Sequence, residues 1–225
     1  MHVDAHSGLS FERTGAAGPE GLLVLLHGVG GNETNLAGLA AAMDPELACI
    51  LPRGPLAYGP GSHAWFDVRF GPFGPAIDPD QAEASRAQLA ALVHSLQDGL
   101  GLGRARTVVA GFSQGGIMSA SVALSRPDLV AGFGILSGRI LPELEPHLAP
   151  PEALRGLSAF VSHGRHDPTL PPGWADRSDA WLRRLEVPCE SRRYDAGHEL
   201  TADMAQDFRA WLRRVLPLPG AGQKR

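Results

Sequence analysis

Apolar residues along this chain follow two patterns. Short unbroken runs recur, led by Gly21–Leu26 (GLLVLL), Ala48–Leu51, Thr107–Ala110, Ala131–Leu136 and Leu157–Ser162. Such runs fit strands buried on both faces of a mostly parallel sheet. Between them the spacing turns helical. Leu89, Leu92, Val93, Leu96 and Leu100 line one face of a predicted helix over Gln81–Leu100. Leu36, Leu39 and Met43 suggest a helix that Asn32 is placed to cap. Trp174, Trp181, Leu182 and Leu185 mark another, and Met204, Phe208, Trp211, Leu212 and Val215 a C-terminal one. A weak strand is expected at Leu9–Arg13 and a last strand near Cys189–Tyr194. Strands and helices thus alternate, which predicts an α/β fold with a mostly parallel central sheet flanked by helices.

The stretches 52–62, 68–80 and 139–152 break both patterns with Pro and Gly and are expected as loops. No repeat or linker divides the chain, and no spare length is left for a separate cap domain. The expectation is one domain over 1–225, with 1–8 and 217–225 flexible.

Composition adds boundaries. The 225 residues are 44% hydrophobic and 20% charged, with formal net charge −4. That fits a globular domain and gives no electrostatic case for nucleic acid. Lys224 is the single lysine among 20 basic residues, so the abundance of Arg reads as compositional bias. Two cysteines, Cys49 and Cys189, suggest buried free thiols in a reducing compartment, with a disulfide as the alternative. No secretory pattern opens the chain and no apolar run reaches transmembrane length, so no stable membrane insertion and a cytoplasmic setting are expected.

The chemistry centres on Thr107–Gly116 (TVVAGFSQGG), a buried strand running through G-x-S-x-G into a helix. A serine on such a turn is a nucleophile elbow: strained backbone lifts the hydroxyl off the sheet edge, toward the positive end of the new helix. A serine hydroxyl needs a base, and the base needs a partner. In an open α/β sheet these groups gather where strands end. His198 follows the last strand and is the candidate base. Asp167 follows the strand before it and is the candidate acid, with Asp195 as its rival. Ser113, Asp167 and His198 stand in the chain order of α/β-hydrolases. The N–H groups of Gln114 and of Val29, in the turn His27–Gly31, are the candidate oxyanion donors; the plain alternative is a Gly-rich turn. His27 suits a structural hydrogen-bonding role. His163, His166 and Asp167 also permit a metal-site reading, but no third ligand cluster supports it. Trp65 and Phe66 read as core aromatics or as pocket lining.

Taken together, LLHGVGGNE at 25–33, LPRGP at 51–55, AWFD at 64–67, AGFSQGG at 110–116, LSG at 136–138, SHGRHDPTLP at 162–171 and AGH at 196–198 resemble the phospholipase/carboxylesterase family of α/β-hydrolases. The resemblance implies a Ser113–Asp167–His198 triad, oxyanion donors at Val29 and Gln114, and Trp65 and Leu170 near the substrate. It implies no cofactor, and it leaves a homodimer open. The turn reads GVGGNE instead of the G-x-G-D-x-x of acyl-protein thioesterases, which points to the bacterial small-ester branch. The expected activity is serine carboxylesterase on small to medium acyl esters, with a small-molecule ester as partner. Long-chain acyl thioesterase or lysophospholipase activity is the alternative, and a non-catalytic binding protein on a hydrolase fold is the minor one.

Overall fold

The computed structural model describes residues 1–71, 74–216 and 218. Chain order gives β1 (His2–Val3), β2 (Ser10–Gly15), β3 (Gly21–Leu26), α1 (Ala37–Ala41), β4 (Leu47–Pro52), β5 (Leu56–Gly59), β6 (Ser62–Ala64), β7 (Val68–Gly71) and β8 (Gly74–Ile77). Then follow α2 (Pro79–Leu100), β9 (Thr107–Phe112), α3 (Gln114–Ser125), β10 (Gly132–Leu136), α4 (Pro151–Leu154), β11 (Ser158–Gly164), α5 (Gly173–Arg184), β12 (Cys189–Tyr194) and α6 (Ala202–Val215). Eight strands form one sheet in the order β1-β2-β4-β3-β9-β10-β11-β12. It is parallel from β4 through β12, with β1 and β2 antiparallel at one edge. This is the α/β-hydrolase fold.

The unbroken apolar runs have a direct structural cause. Successive side chains of a strand point to opposite faces. Leu22, Val24 and Leu26 of β3 therefore pack with Leu89, Leu92 and Val93 of α2 and Met118 of α3. Leu23 and Leu25 pack on the other face with Leu39, Met43, Phe208 and Leu212, supplied by α1, α6 and the turn between α1 and β4. Both faces of β3 are buried, so neither tolerates a polar position.

Local chemistry sets the element ends. Asp78 caps α2, its Oδ1 accepting the N–H groups of Asp80 and Gln81 at 3.1 Å each, and Pro79 begins the helix where no N–H partner is needed. The Asn32 cap does not form, and α1 is shorter than its apolar spacing suggested. Asn32 Oδ1 instead accepts from the N–H and hydroxyl of Thr34, a local turn that competes with helix.

The stretches expected as loops carry structure. Residues 52–62 hold β5, paired with β6, and 68–80 hold the β7–β8 hairpin. Within 139–152 a 3₁₀ turn spans Pro142–His147, and α4 begins at its end. The stretch 1–8, expected to be flexible, pairs through His2 and Val3 with β2 and bonds through Asp4 to Ser95 of α2. The expectation for 217–225 lies outside the described residues except at Leu218. Cys49 and Cys189 are both free thiols; Cys49 is buried, whereas Cys189, expected buried, is exposed because it opens the edge strand β12. Among the described residues no helix is long and apolar enough to cross a membrane.

Candidate active site

Four strand ends meet at the carboxyl edge of the sheet: those of β3, β9, β11 and β12. Their order in the sheet, with β10 between β9 and β11, brings residues far apart in sequence into one cleft.

The tightest of the four is the turn from β9 into α3. Ser113 sits at φ 54°, ψ −116°, a conformation that L side chains rarely adopt. The turn holds because its surroundings leave it no alternative. Ser113 N–H donates to Leu136 O of β10 at 2.8 Å, and Ile117 N–H donates to Ser113 O at 3.2 Å. A Cβ at Gly115 would lie 2.0 Å from Leu26 O, and one at Gly111 would lie 2.3 Å from the Gly115 carbonyl carbon. Bare backbone at both positions lets β9, α3 and the end of β3 approach this closely.

From this turn a hydrogen-bonded relay runs outward. The Ser113 hydroxyl lies 2.9 Å from His198 Nε2, and His198 Nδ1 lies 2.6 Å from Asp167 Oδ2. An ionised carboxylate only accepts, so Nδ1 carries the imidazole proton and Nε2 is left to accept from Ser113. Asp167 is buried, and its Oδ1 accepts the N–H groups of Thr169 (2.9 Å) and Leu170 (2.8 Å). His198 stays partly open to solvent, its ring against Phe112 with centroids 4.9 Å apart. Asp195, the rival acid, bonds His166 Nε2 at 2.7 Å on the exposed surface, away from His198.

One neighbour of the relay was missed as such in the sequence. His163 is fully buried, its Nε2 2.7 Å from Leu170 O and 3.3 Å from Asp167 Oδ2. Burial pushes its pKa below the ordinary histidine value, so the ring is neutral and donates from Nε2. His163 and His166 therefore diverge, one inward to the Asp167 loop and one outward to Asp195. The signal was its place at the end of an apolar strand, where the side chain two residues before the loop must point inward.

Opposite Ser113, the turn after β3 is fixed from several sides. His27 accepts the Gly54 N–H through Nε2 at 2.9 Å, so its Nδ1–H donates to Gly28 O at 2.7 Å. Gly30 N–H donates to His63 O at 2.8 Å, and Gly31 N–H donates to Gly28 O at 3.1 Å. Val29 is 40% exposed and lines the cleft beside Ser113 and Gln114. No hydrogen bond within the described residues engages the backbone N–H of Val29 or of Gln114. The Gln114 side chain does different work: Oε1 accepts Trp65 N–H at 2.8 Å and the amide Nε2 donates to Phe66 O at 2.7 Å.

That clamp corrects the assignment of Trp65 to the substrate wall. Trp65 is fully buried, donates from Nε1 to His27 O at 2.9 Å and packs against the His27 ring. It braces the turn from behind. Phe66, the next residue, lines the cleft instead, together with Leu170 and with Val68, Pro75 and Ile77 of the β7–β8 hairpin. The cleft measures about 180 Å³ and is predominantly apolar. It opens directly onto Ser113 and His198. The arrangement is suited to delivering a serine oxygen to an electrophilic carbon, with free N–H donors beside it for developing negative charge.

Known proteins resemble this chain in sequence and in fold. A family model described as Phospholipase/Carboxylesterase matches residues 13–216. The putative hydrolase MhqD of Bacillus subtilis is 25% identical, with 88% of this chain and 94% of that protein covered. Acyl-protein thioesterase 1 of Emericella nidulans is 27% identical, covering 89% and 92%. Among solved structures, esterase PE8 superposes with TM-score 0.80 at 25% identity, covering 92% of this chain and 99% of that one. A carboxylesterase from Mesorhizobium loti gives 0.79, also at 25% identity, covering 91% and 94%.

Proposed function

The chain belongs to the phospholipase/carboxylesterase family, and from that premise we propose that it is a serine carboxylesterase acting on small to medium acyl esters. The observation that carries this reading is the unbroken relay from Asp167 through His198 to Ser113, at 2.6 and 2.9 Å. Ser113 attacks the acyl carbon while His198 Nε2 takes its proton, and Asp167 stabilises the resulting imidazolium. The oxyanion is received by the N–H groups of Val29 and Gln114. His198 then protonates the departing alcohol oxygen, leaving a Ser113 acyl-enzyme. A water molecule, deprotonated by the same nitrogen, releases the acid and restores Ser113.

The size of the cleft supports the acyl range proposed. Its volume of about 180 Å³ lies below the roughly 300–1,000 Å³ of sites that enclose drug-sized ligands. The acyl-protein thioesterase among the relatives supports a second reading, hydrolysis of long-chain thioesters or lysophospholipids. The two free thiols accord with a reducing, cytoplasmic setting.

A fluorophosphonate probe and a graded series of p-nitrophenyl esters test the proposal together. Labelling of the wild type at Ser113, with turnover falling beyond medium chains, is the expected result. Efficiency that keeps rising past about C10 would favour the long-chain reading, since each further buried CH₂ is worth about 0.8 kcal/mol only where a groove exists to bury it. Absence of labelling would leave a binding protein on a hydrolase fold.

A further inference from the structure

The segment leaving β10 runs against the back of the Ser113 turn. Leu136 O holds the Ser113 N–H, Ser137 adopts φ 51°, and a Cβ at Gly138 would lie 2.8 Å from Ser113 O. Arg139 comes next and lines the same cleft as Ser113, Leu170 and His198. Its neighbour Ile140 is tied to α5, the N–H donating to Ser178 Oγ at 3.1 Å. The position of the Arg139 backbone is therefore set by the nucleophile turn on one side and a helix on the other.

Arg139 is only 4% exposed. Its guanidinium lies 4.3 Å from the centre of the Trp174 ring, and Arg177 lies 4.6 Å from that same ring. Among the described residues no carboxylate forms an ion pair with the Arg139 side chain, no hydrogen bond is donated from it, and its buried Nε has no partner. Glu143, the acidic residue that acts on it through space, is exposed, and Arg177 opposes it. Burial holds the guanidinium below its ordinary range, yet arginine remains charged at neutral pH. A desolvated charge of this kind is costly without a counter-ion, and the face of Trp174 offsets only part of that cost. Elsewhere in the chain, buried charge is paired: Asp44 binds both Arg209 and Arg213. Among the described residues Arg139 is the exception, and it lines the cleft.

We infer that Arg139 is an anion-recognition residue of this site, and that the ester hydrolysed here carries a carboxylate of its own. The inference rests on the esterase reading of the cleft. A guanidinium fork matches the two oxygens of a carboxylate, and the apolar walls formed by Phe66, Ile117 and Leu170 keep the pair from being screened by water. The reaction is ordinary hydrolysis. The ester C–O bond breaks, the acyl carbon gains the hydroxyl of water, and the alcohol leaves with a proton. The carboxylate held by Arg139 takes no part in bond changes and orients the ester over Ser113.

Matched ester pairs test this in both halves of the substrate. Mono-p-nitrophenyl glutarate against p-nitrophenyl hexanoate places the carboxylate on the acyl side. The butyrate of 4-hydroxyphenylacetate against the butyrate of 4-ethylphenol places it on the alcohol side. The wild type is expected to favour the anionic ester in one pair by roughly 10- to 100-fold in kcat/KM. Arg139→Met should bring that ratio to within about twofold of unity, and Arg139→Lys should leave an intermediate value because an ammonium lacks the fork. Wild-type ratios at or below unity in both pairs, or an unchanged ratio in a folded Arg139→Met, would overturn the inference while hydrolysis of the neutral esters keeps the esterase reading intact. Should Arg139→Met not fold, competitive inhibition of the wild type by glutarate but not by glutaramide decides, and inhibition by neither counts against. If no ester at all is hydrolysed, the esterase reading fails separately. Calorimetric binding of glutarate to the wild type, weakened in Arg139→Lys, then still supports the anion site, and its absence rejects it.

Discussion

The cleft has two walls of different construction. One is the carboxyl edge of the sheet, where Ser113, Asp167 and the Gly28–Gly31 turn each leave a buried strand, and His198 follows the edge strand β12. The other is the β7–β8 hairpin, a two-stranded sheet separate from the main one, with Val68, Pro75 and Ile77 facing the cleft. An isolated pair of strands is marginal without packing behind it, whereas the edge inherits the rigidity of the whole core. Chemistry that tolerates errors of about 0.5 Å belongs on the first wall. Selection among acyl groups, where a methylene is worth only about 1–3 kcal/mol, suits the second.

The comparison is broken most directly at the edge. Ser113→Ala should lower kcat by roughly 10⁴-fold or more, since removing the proposed nucleophile leaves only binding and oxyanion stabilisation. Steady-state turnover of p-nitrophenyl butyrate measures it, and activity within tenfold of wild type would deny the edge its chemical role. Gly115→Ala probes rigidity rather than chemistry. The new Cβ would meet backbone, at 2.0 Å from Leu26 O and 2.5 Å from Leu26 C, so no side-chain rotation relieves it. A loss of about 3 kcal/mol or more in urea unfolding is expected. A well-folded, fully stable variant would mean that the junction of β3, β9 and α3 is looser than its contacts imply.

The same division governs what could be read from the sequence. Strand ends announce themselves because a strand buried on both faces must be an unbroken apolar run, and the polar residue just after it has one place to go. Ser113 and Asp167 were legible for that reason; His198 follows the polar edge strand β12 and was legible from its place after the last strand, and the structure brings the three together. Trp65 was not, because alternation around residues 64–66 does not say which aromatic faces inward; the Gln114 clamp decides it, and that is a contact across 49 residues. The hairpins at 56–64 and 68–77 were hidden by Pro and Gly, which signal turns but not the pairing of the segments around them. Arg139 was masked by a composition rich in arginine. Only the packing of β10 and α5 around it sets it apart from arginines that reach solvent.

The second wall supplies a smaller test. Ile77 pairs in register with Val68 and faces the cleft from a partly exposed position. Ile77→Ala should shift the ratio of kcat/KM between hexanoate and acetate esters by about tenfold or less, and it should leave the urea midpoint close to wild type. A loss of turnover on every ester alike would mean that the hairpin also positions the catalytic groups, and the two walls would no longer be separable.

The smallest effect is expected where the edge is stapled from outside. Arg53 donates to both oxygens of Glu33, Nε to Oε2 at 2.7 Å and Nη2 to Oε1 at 2.5 Å, and so ties the residues just past the Val29 turn to the exit of β4. These bonds hold the Glu33 carboxyl well below its ordinary range, at about 2. A carboxyl whose pKa is depressed on folding adds stability that is complete above its unfolded value, 4.5, and is lost as pH falls toward 2. Arg53 stays charged throughout, so the window belongs to Glu33 alone. The Arg53 side chain is 30% exposed, and solvent screening keeps the pair to less than about 1 kcal/mol at neutral pH. Glu33→Gln should therefore unfold at slightly lower urea than wild type at pH 7, and the gap should be narrower at pH 3. A gap that persists undiminished at pH 3 would show that packing around residue 33, and not its charge, holds the turn in place.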